Sequence, residues 1–167
     1  MKHQLATAKS VEQTSDANRD QTEIHDKLEK WRDLFSPGKR QFSFANYENL
    51  YVKSDELLIY DSYAPTGYNR EIRGWDNYKT LWEKFMPIDF PEWRITNLDI
   101  TRIEVQGDTA WSAVSFVGRG IKDGKDYVGG QHGTHVWKRI DNEWRIIHEH
   151  LTTMADQEIQ SRISQST

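Results

Sequence analysis

The first part of the chain repeats apolar residues at the spacing of an α-helix. The apolar positions that recur every three or four residues are Ile24, Leu28, Trp31 and Phe35. Asp20 with Glu23 three residues later is typical of a capping box at a helix start, and Pro37 followed by Gly38 predicts the helix end. We therefore expect an amphipathic helix that begins at Asp20.

Two further helical patterns and one short strand follow this helix. The second helical pattern covers residues 44–51, and the third begins after Gly74 and ends near Pro87. Between them, residues 57–60 form an apolar run that is short enough for a buried strand. The first half of the chain is therefore predicted to be mainly helical.

The second half of the chain predicts a meander of long strands. The expected strands are 94–105, 109–119, 127–139 and 143–151. Turn residues separate them at 107–108, 123–124 and 141–142, and Asp-Gly at 123–124 suits a two-residue hairpin turn. Helices followed by strands predict an α+β fold with helices packed on one face of a curved antiparallel sheet. Both faces of the predicted strand 109–119 are apolar, so the pattern does not decide which face points into the core. We expect the helices to cover one face and a second subunit to cover the other.

The last hairpin places three histidines on one face if its turn is the two residues 141–142. His135 then pairs with His148, and His150 lies on the same face because side chains alternate along a strand. Glu149 points to the opposite face. A bulge of one residue would reverse part of this assignment.

Length and composition exclude several classes of protein. The 167 residues suit one domain, predicted at 20–155, with flexible tails at 1–19 and 156–167. The net charge is −4 and no dense basic run occurs, so nucleic acid is not an expected partner. Cysteine is absent, which excludes thiolate chemistry. No apolar run suits a membrane span or a secretory signal, so a cytoplasmic protein is expected.

The order of the elements and two sequence phrases resemble a known superfamily. Residues 136–144, Val-Trp-Lys-Arg-Ile-Asp-Asn-Glu-Trp, and 148–152, His-Glu-His-Leu-Thr, are similar to the end of nuclear-transport-factor-2-like proteins. Within that superfamily the chain resembles SnoaL-like proteins, which share the Gly-Asp-x-Ala-Trp stretch at 107–111, and the association domain of calcium/calmodulin-dependent kinase II. The resemblance implies a cone-shaped α+β barrel that encloses a pocket, commonly in a homodimer.

The resemblance also suggests roles for single residues. The strand that ends in Asp61 is similar to the strand of ketosteroid-isomerase-like enzymes that ends in their general base. In the kinase association domain, His135 corresponds to a pocket arginine and Tyr78 to a pocket histidine. Two further arginines of that pocket fall at Ala113 and Leu151, so this pocket should be less cationic.

Each candidate catalytic residue could also have a purely structural role. Asp61 could remove an acidic proton beside a carbonyl group, or it could cap a loop at a strand end. His135 and His148 could act as acid and base or hold a polar group of a ligand, or they could form a hydrogen-bonded cross-strand pair. With His150 they could bind zinc, but no carboxylate on that face completes the set, so no metal or other cofactor is predicted.

The sequence therefore predicts a small-molecule protein, either a binding protein or a cofactor-independent isomerase or lyase acting on an apolar carbonyl-bearing compound. The predicted catalytic residues are Asp61, His135 and His148. The predicted ligand-binding residues are Tyr60, Trp75, Tyr78, Trp82, Trp111, Trp137 and His150. Each aromatic residue alone is more typical of a core, whereas together they suit an apolar pocket. The competing prediction is a non-catalytic oligomerisation or regulatory domain.

Overall fold

A computed structural model describes residues 2–65 and 70–165, with side chains described from residue 16 onward. The elements in chain order are helix α1 (Lys2–Leu34), a 3₁₀ helix (Glu48–Leu50), strands β1 (Leu58–Asp61) and β2 (Glu71–Arg73), helix α2 (Trp75–Asp89), strands β3 (Arg94–Gln106), β4 (Thr109–Lys122), β5 (Lys125–Ile140) and β6 (Glu143–Thr153), and helix α3 (Asp156–Ser164). Among the helices of these residues, none is long and apolar enough to cross a membrane.

The strands form one six-stranded sheet in the order β2-β1-β6-β5-β4-β3. Neighbouring strands are antiparallel except β1 and β6, which run parallel. Bulges in the β3–β4 and β5–β6 ladders bend the long strands, because an extra residue increases local twist. The predicted α+β fold with helices against a curved sheet is confirmed, including the four long strands.

Helices α1 and α2 cover one face of the sheet, which we call the inner face. Ile24, Leu28 and Trp31 of α1 are buried to within 1% exposure, and the Trp31 ring lies 5.5 Å from that of Phe116 on β4. Trp82 of α2 is buried on the same side. Burial of each such side chain contributes on the order of 2 kcal/mol. The inward residues of β4 are Ala110, Ser112, Val114 and Phe116.

Two details of the helices differ from the prediction, whereas the end of α2 at Asp89 agrees with the expected end near Pro87. Helix α1 begins at Lys2, and Asp20 lies inside it, where its buried carboxylate binds the Arg139 guanidinium at 2.5 Å. Asp20 therefore pairs with a cation from the sheet and is not a cap. Residues 44–51 form only a single 3₁₀ turn. Pro87 lies within α2, in its last turn, where the missing N–H costs one hydrogen bond.

A β-bulge in the last hairpin changes which residues face inward. Trp137 pairs with Ile146 as the two-residue turn requires, but Val136 pairs with His148. Ile147 is therefore an extra residue on β6. A single extra residue moves every following side chain of the strand to the opposite face.

The bulge overturns the predicted grouping of the histidines. His135 pairs with Glu149, and Thr134 pairs with His150. His135 and Glu149 are both fully buried on the inner face, whereas His150 is exposed. The expectation that His148 and His150 share a face with His135 is wrong, and so is the outward direction assigned to Glu149.

The opposite side of the sheet, the outer face, is covered only in part. Ile159 of α3 is buried against Val117 and Met154 at one end of this face. At the other end Trp111 of β4 is 40% exposed. Residues 156–164, expected to lie in a tail, thus pack on the sheet, while the division of the chain into one domain and two flexible tails remains a prediction.

Candidate functional site

A small cavity lies between helices α1 and α2 and the inner face of the sheet. Its volume, counted over the positions open to the centre of a water molecule, is about 30 Å³, which suits about two water molecules. The aromatic residues in its walls are Trp31, Phe35, Tyr63, Trp82, Phe90, Trp93 and Phe116. Asp61 and Gln131 bring a carboxyl and an amide group into these otherwise apolar walls. The cavity therefore combines apolar surface with a few polar groups, as ligand sites do.

Asp61, the last residue of β1, is 4% exposed and lines this cavity. Its Oδ1 accepts hydrogen bonds from the backbone N–H of Tyr63 at 2.8 Å and from Nε2 of Gln131 at 2.9 Å. Within residues 16–65 and 70–165, no donor is hydrogen-bonded to Oδ2. One carboxylate oxygen is thus held in place, and the other makes no hydrogen bond with these residues.

Burial gives this carboxyl group an unusual acidity. Removal from water raises the pKa of Asp61 to about 7, and the negative charge of Glu149 acts in the same direction. The hydrogen bonds from Tyr63 and Gln131 lower it in part. A general base is most effective when its pKa lies near the working pH. Asp61 can therefore both accept and return a proton at neutral pH.

Gln131 of β5 positions Asp61 and was not predicted. It is 2% exposed, and its Nε2 donates to Asp61 Oδ1 and to Ser62 Oγ, both at 2.9 Å. Ser62 Oγ in turn lies 2.7 Å from Thr153 Oγ1. The sequence does contain a signal for Gln131. It lies four residues before His135 on the same strand, and residues four apart on a strand share a face.

Trp82 of α2 contributes an unused donor to the cavity wall. Its side chain lines the cavity and is 3% exposed, and its Nε1–H has no hydrogen-bond partner in the described part of the chain. Buried indole N–H groups usually find an acceptor. This group is therefore suited to the carbonyl oxygen of a ligand.

A second buried polar cluster is centred on Glu149, beside the cavity. Its carboxylate accepts hydrogen bonds from Trp31 Nε1 at 3.1 Å, Tyr51 OH at 3.2 Å and Tyr78 OH at 3.0 Å. His135 Nε2 lies 3.3 Å from Oε2 of the same carboxylate. Burial raises the pKa of Tyr51 and Tyr78 well above the usual value, so both hydroxyls stay protonated as donors. These donors compensate for the burial of the Glu149 carboxylate. Trp31 belongs both to this cluster and to the cavity wall.

His135 continues this cluster away from the cavity. Its Nδ1 lies 3.3 Å from Ser112 Oγ, which also accepts a hydrogen bond from Trp137 Nε1 at 2.9 Å. His135 Nε2 faces the Glu149 carboxylate on its other side but has no hydrogen-bond partner in the described part of the chain. The predicted residues His135, Tyr78 and Trp137 thus lie in the buried interior around Glu149, outside the cavity wall.

The remaining predicted histidines lie on the outer face. His148 Nδ1 is 2.8 Å from the carbonyl oxygen of Leu58. The Tyr60 ring contacts those of His148 and His150, with centroids 5.7 and 5.6 Å away. These three residues are on the opposite side of the sheet from Asp61. Within the described residues, no group of three His, Asp or Glu side chains is arranged to hold a metal ion.

Two predicted tryptophans also lie away from the cavity. Trp75 packs in the core, with ring centroids 5.2 Å from Phe44 and 5.8 Å from Tyr51. Trp111 lies on the outer face with the Arg102 guanidinium 5.9 Å from its ring centre. Of the ten residues predicted for the site, Asp61 and Trp82 line the cavity together.

Helices packed on a curved sheet around a small cavity define a class of α+β proteins with a pocket inside the fold. The SnoaL-like domain family matches residues 26–156. The chain therefore belongs to the SnoaL-like family. No curated protein matches the sequence significantly.

Solved structures show the same fold. A nuclear transport factor 2 (NTF2-like) superfamily protein from Salmonella enterica is 17% identical, with a TM-score of 0.66 over 81% of this chain and 92% of that one. The CaMKII hub of S. rosetta is 13% identical, with a TM-score of 0.63 over 80% and 95%. A proposed scytalone dehydratase from Novosphingobium aromaticivorans is 16% identical, with a TM-score of 0.63 over 84% and 89%. At these identities the likeness concerns the fold alone.

Proposed function

We propose that this protein binds a small apolar, carbonyl-bearing molecule in the Asp61 cavity and acts on it as a cofactor-independent isomerase or lyase. The observation that carries the proposal is the carboxyl group of Asp61, which is buried in an apolar wall with a pKa of about 7. One of its oxygens is held by Tyr63 and Gln131. Such a group is suited to moving a proton on a ligand rather than to capping a loop.

The proposed chemistry needs two groups of this chain. Asp61 Oδ2 takes a proton from the carbon beside the ligand carbonyl, and the electron pair of the broken C–H bond moves onto the carbonyl oxygen. The Nε1–H of Trp82 donates a hydrogen bond to that oxygen and stabilises its negative charge. Asp61 then returns the proton to another carbon of the ligand, or the electron pair expels a leaving group. The first outcome is an isomerisation and the second is an elimination.

The size of the cavity limits the reacting part of the ligand. A volume of about 30 Å³ holds little more than water. Wall side chains must therefore move apart to admit a carbonyl compound.

One structural neighbour is a proposed scytalone dehydratase, and dehydration is an elimination, which supports the lyase branch.

The proposal is tested by exchange of the hydrogens beside a carbonyl group. The probe is 2-decanone in heavy water, with deuterium incorporation measured by NMR. We expect the wild-type protein to accelerate the exchange, with a rate that rises as the pH passes through about 7, where Asp61 becomes ionised. Asp61→Asn should reduce the exchange to the rate without protein, and the exposed Asp126→Asn should leave it unchanged. No acceleration by the wild type, or equal rates for both variants, would exclude Asp61 as the base.

A second candidate function is a non-catalytic oligomerisation or regulatory domain. It is favoured by the exposed Trp111 on the uncovered part of the outer face and by the CaMKII hub and association domains among the structural neighbours. We propose that the outer face joins two copies in a homodimer. A dimer is compatible with chemistry in the cavity, because the two features lie on opposite faces of the sheet.

A further inference from the structure

A groove on the surface shares two walls with the Asp61 cavity. The groove has a volume of about 630 Å³ and is formed by the turn after α1 and the end of α2. Met86 and Phe90 line both spaces. The cavity alone is too small for a carbonyl compound, whereas cavity and groove together offer room for an elongated one. Displacement of these two side chains would join them.

The side chains that separate the two spaces are suited to movement. Met86 has an unbranched side chain that adapts to irregular spaces. Phe90 follows the last residue of α2, with non-helical backbone angles, and its N–H donates to the carbonyl oxygen of Met86 at 3.1 Å. The turn of α2 just before it contains Pro87, which lacks an N–H for the helix. The last turn of α2 therefore has one backbone hydrogen bond fewer than a regular helix.

The groove carries positive charge that the protein does not neutralise. Lys39 lies 3.8 Å from Glu92, which offsets its charge. Arg40 donates to the carbonyl oxygen of Ser36 and forms no ion pair with any described carboxylate. Arg94, whose guanidinium lies beside Gly38 of the groove lining, likewise has no carboxylate partner among residues 16–65 and 70–165. Two guanidinium groups are thus available to an anion.

The turn after α1 lies next to one of these groups. Gly38 has a positive φ of 59°, and a Cβ atom there would lie 2.5 Å from the Arg94 guanidinium. Its N–H donates to the carbonyl oxygen of Trp93 at 3.0 Å. The positive φ favours glycine at this position, and without a Cβ atom the Arg94 guanidinium can approach the backbone closely. The guanidinium of Arg94 therefore lies against the groove wall.

We propose that the groove binds the anionic end of an elongated ligand whose apolar, carbonyl-bearing end enters the Asp61 cavity past Met86 and Phe90. This inference rests on the proposed function and names its ligand class: an apolar carbonyl compound with a carboxylate or similar anion at the far end. The guanidinium groups of Arg40 and Arg94 bind that anion.

The test compares two probes that differ only at the far end. 2-Decanone and 9-oxodecanoate have the same methyl ketone and the same chain length, and only the second carries a carboxylate. Binding is followed by the fluorescence of the tryptophans in the cavity wall. We expect 9-oxodecanoate to bind about fivefold more tightly at low ionic strength. This preference should disappear in concentrated salt, which screens exposed charges.

Matched variants decide which surface holds the carboxylate. The double variant Arg40→Gln, Arg94→Gln should bind both probes equally and retain the wild-type affinity for 2-decanone. Lys122→Gln is the control, because its Nζ lies 5.8 Å from the Phe90 ring in a different cleft, next to Tyr63. If Lys122→Gln loses the preference for 9-oxodecanoate and the double variant keeps it, the groove is not the site that binds the carboxylate.

Failure of this inference differs from failure of the proposed function. If the protein exchanges the hydrogens of 2-decanone but binds both probes equally, the groove proposal is wrong and the role of Asp61 stands. If neither probe binds, both proposals fail.

Discussion

At the scale of single residues, Asp61 makes the stability of the protein depend on pH. Its pKa in the folded chain is about 7, above the ordinary value of 3.8. The unfolded chain therefore releases this proton more readily than the folded one. Stability is unaffected by this group below about pH 4, falls as the pH rises from there to about 7, and stays reduced above. A difference of about three pKa units corresponds to about 4 kcal/mol at most.

Asp61→Asn should therefore stabilise the protein at alkaline pH. Asparagine retains an oxygen for the N–H groups of Tyr63 and Gln131 but never ionises. At pH 8 the free energy of unfolding in urea should exceed that of the wild type by a few kcal/mol, and near pH 4 the two should agree. Asp126→Asn, at an exposed position, should show no such pH-dependent difference. A constant gap between Asp61→Asn and wild type at all pH values would contradict the raised pKa.

Glu149 affects Asp61 through its charge. It is fully buried, and its negative charge is among the causes that raise the pKa of Asp61. Glu149→Gln removes the charge, and its amide oxygen can replace Oε2 as the acceptor for Trp31 and Tyr51 while its NH₂ group donates to the Tyr78 hydroxyl oxygen. The pKa of Asp61, measured from its carboxyl ¹³C shift, should decrease, and the pH profile of hydrogen exchange should shift toward acid with it. Glu104→Gln on β3 should leave both unchanged, and an unshifted profile in Glu149→Gln would show that the two acids act independently.

Trp82 should matter for the reaction more than for binding. Trp82→Phe keeps an aromatic ring in the cavity wall but removes the Nε1–H. If this group stabilises the developing oxyanion, the rate of hydrogen exchange should fall on the order of a hundredfold. The affinity for 2-decanone, measured by fluorescence of the remaining tryptophans, should change much less. A proportionate loss of rate and affinity would instead indicate a role in packing.

At the scale of elements, the long strands could be predicted from the sequence because their signals are local. Alternation of side chains and turn residues such as Asp123-Gly124 lie within a few positions of each other, and the turns at 123–124 and 141–142 have the positive φ values that two-residue hairpins need. The early part of α1 could not be predicted, because residues 2–19 carry no apolar stripe. Strand β2, with three residues, is too short to leave a periodic pattern.

The bulge at Ile147 explains why the polar cluster could not be predicted. Strand periodicity assigns faces correctly up to Ile146, but one extra residue reverses all positions after it. Strict alternation therefore places His148 on the inner face, where the structure has Glu149. The inward Glu149 depends on tertiary packing, with donors from Trp31 and Tyr78 that lie far away in sequence.

The two hairpin turns allow a matched test of backbone conformation. Asn142 has a φ of 63° in the last turn, whereas the corresponding position of the preceding turn is Gly124 with a φ of 73°. Glycine adopts this conformation at no steric cost. Asn142→Gly should therefore stabilise the protein by a few tenths of a kcal/mol to about 1 kcal/mol, and Gly124→Ala should destabilise it by about 1 kcal/mol. Urea denaturation measures both, and a destabilising Asn142→Gly or a neutral or stabilising Gly124→Ala would contradict the two-residue turns.

At the scale of the whole molecule, the sheet separates two kinds of surface. The inner face, with α1 and α2, encloses the Asp61 cavity, and the outer face carries Trp111, Tyr60 and the exposed histidine His150. The resemblance to related proteins is enough to single out Asp61 and a pocket. The side chains that surround it in the cavity come from helices α1 and α2 and strands β3, β4, β5 and β6, and no local pattern contains that information.

The proposed homodimer makes a prediction about Trp111. This side chain is 40% exposed on the uncovered outer face, and we expect the partner subunit to bury it. A lysine at this position would lose water around its ammonium group without gaining an ion pair, and the neighbouring Arg102 would repel it. Trp111→Lys should therefore sediment as a monomer at micromolar concentration where the wild type sediments as a dimer. Ile88→Lys changes another large exposed apolar side chain, at the end of α2 and 67% exposed, and should remain dimeric. A monomeric wild type would exclude the oligomerisation function altogether, whereas a monomeric Trp111→Lys that still exchanges the hydrogens of 2-decanone would show that each Asp61 cavity is complete within one chain.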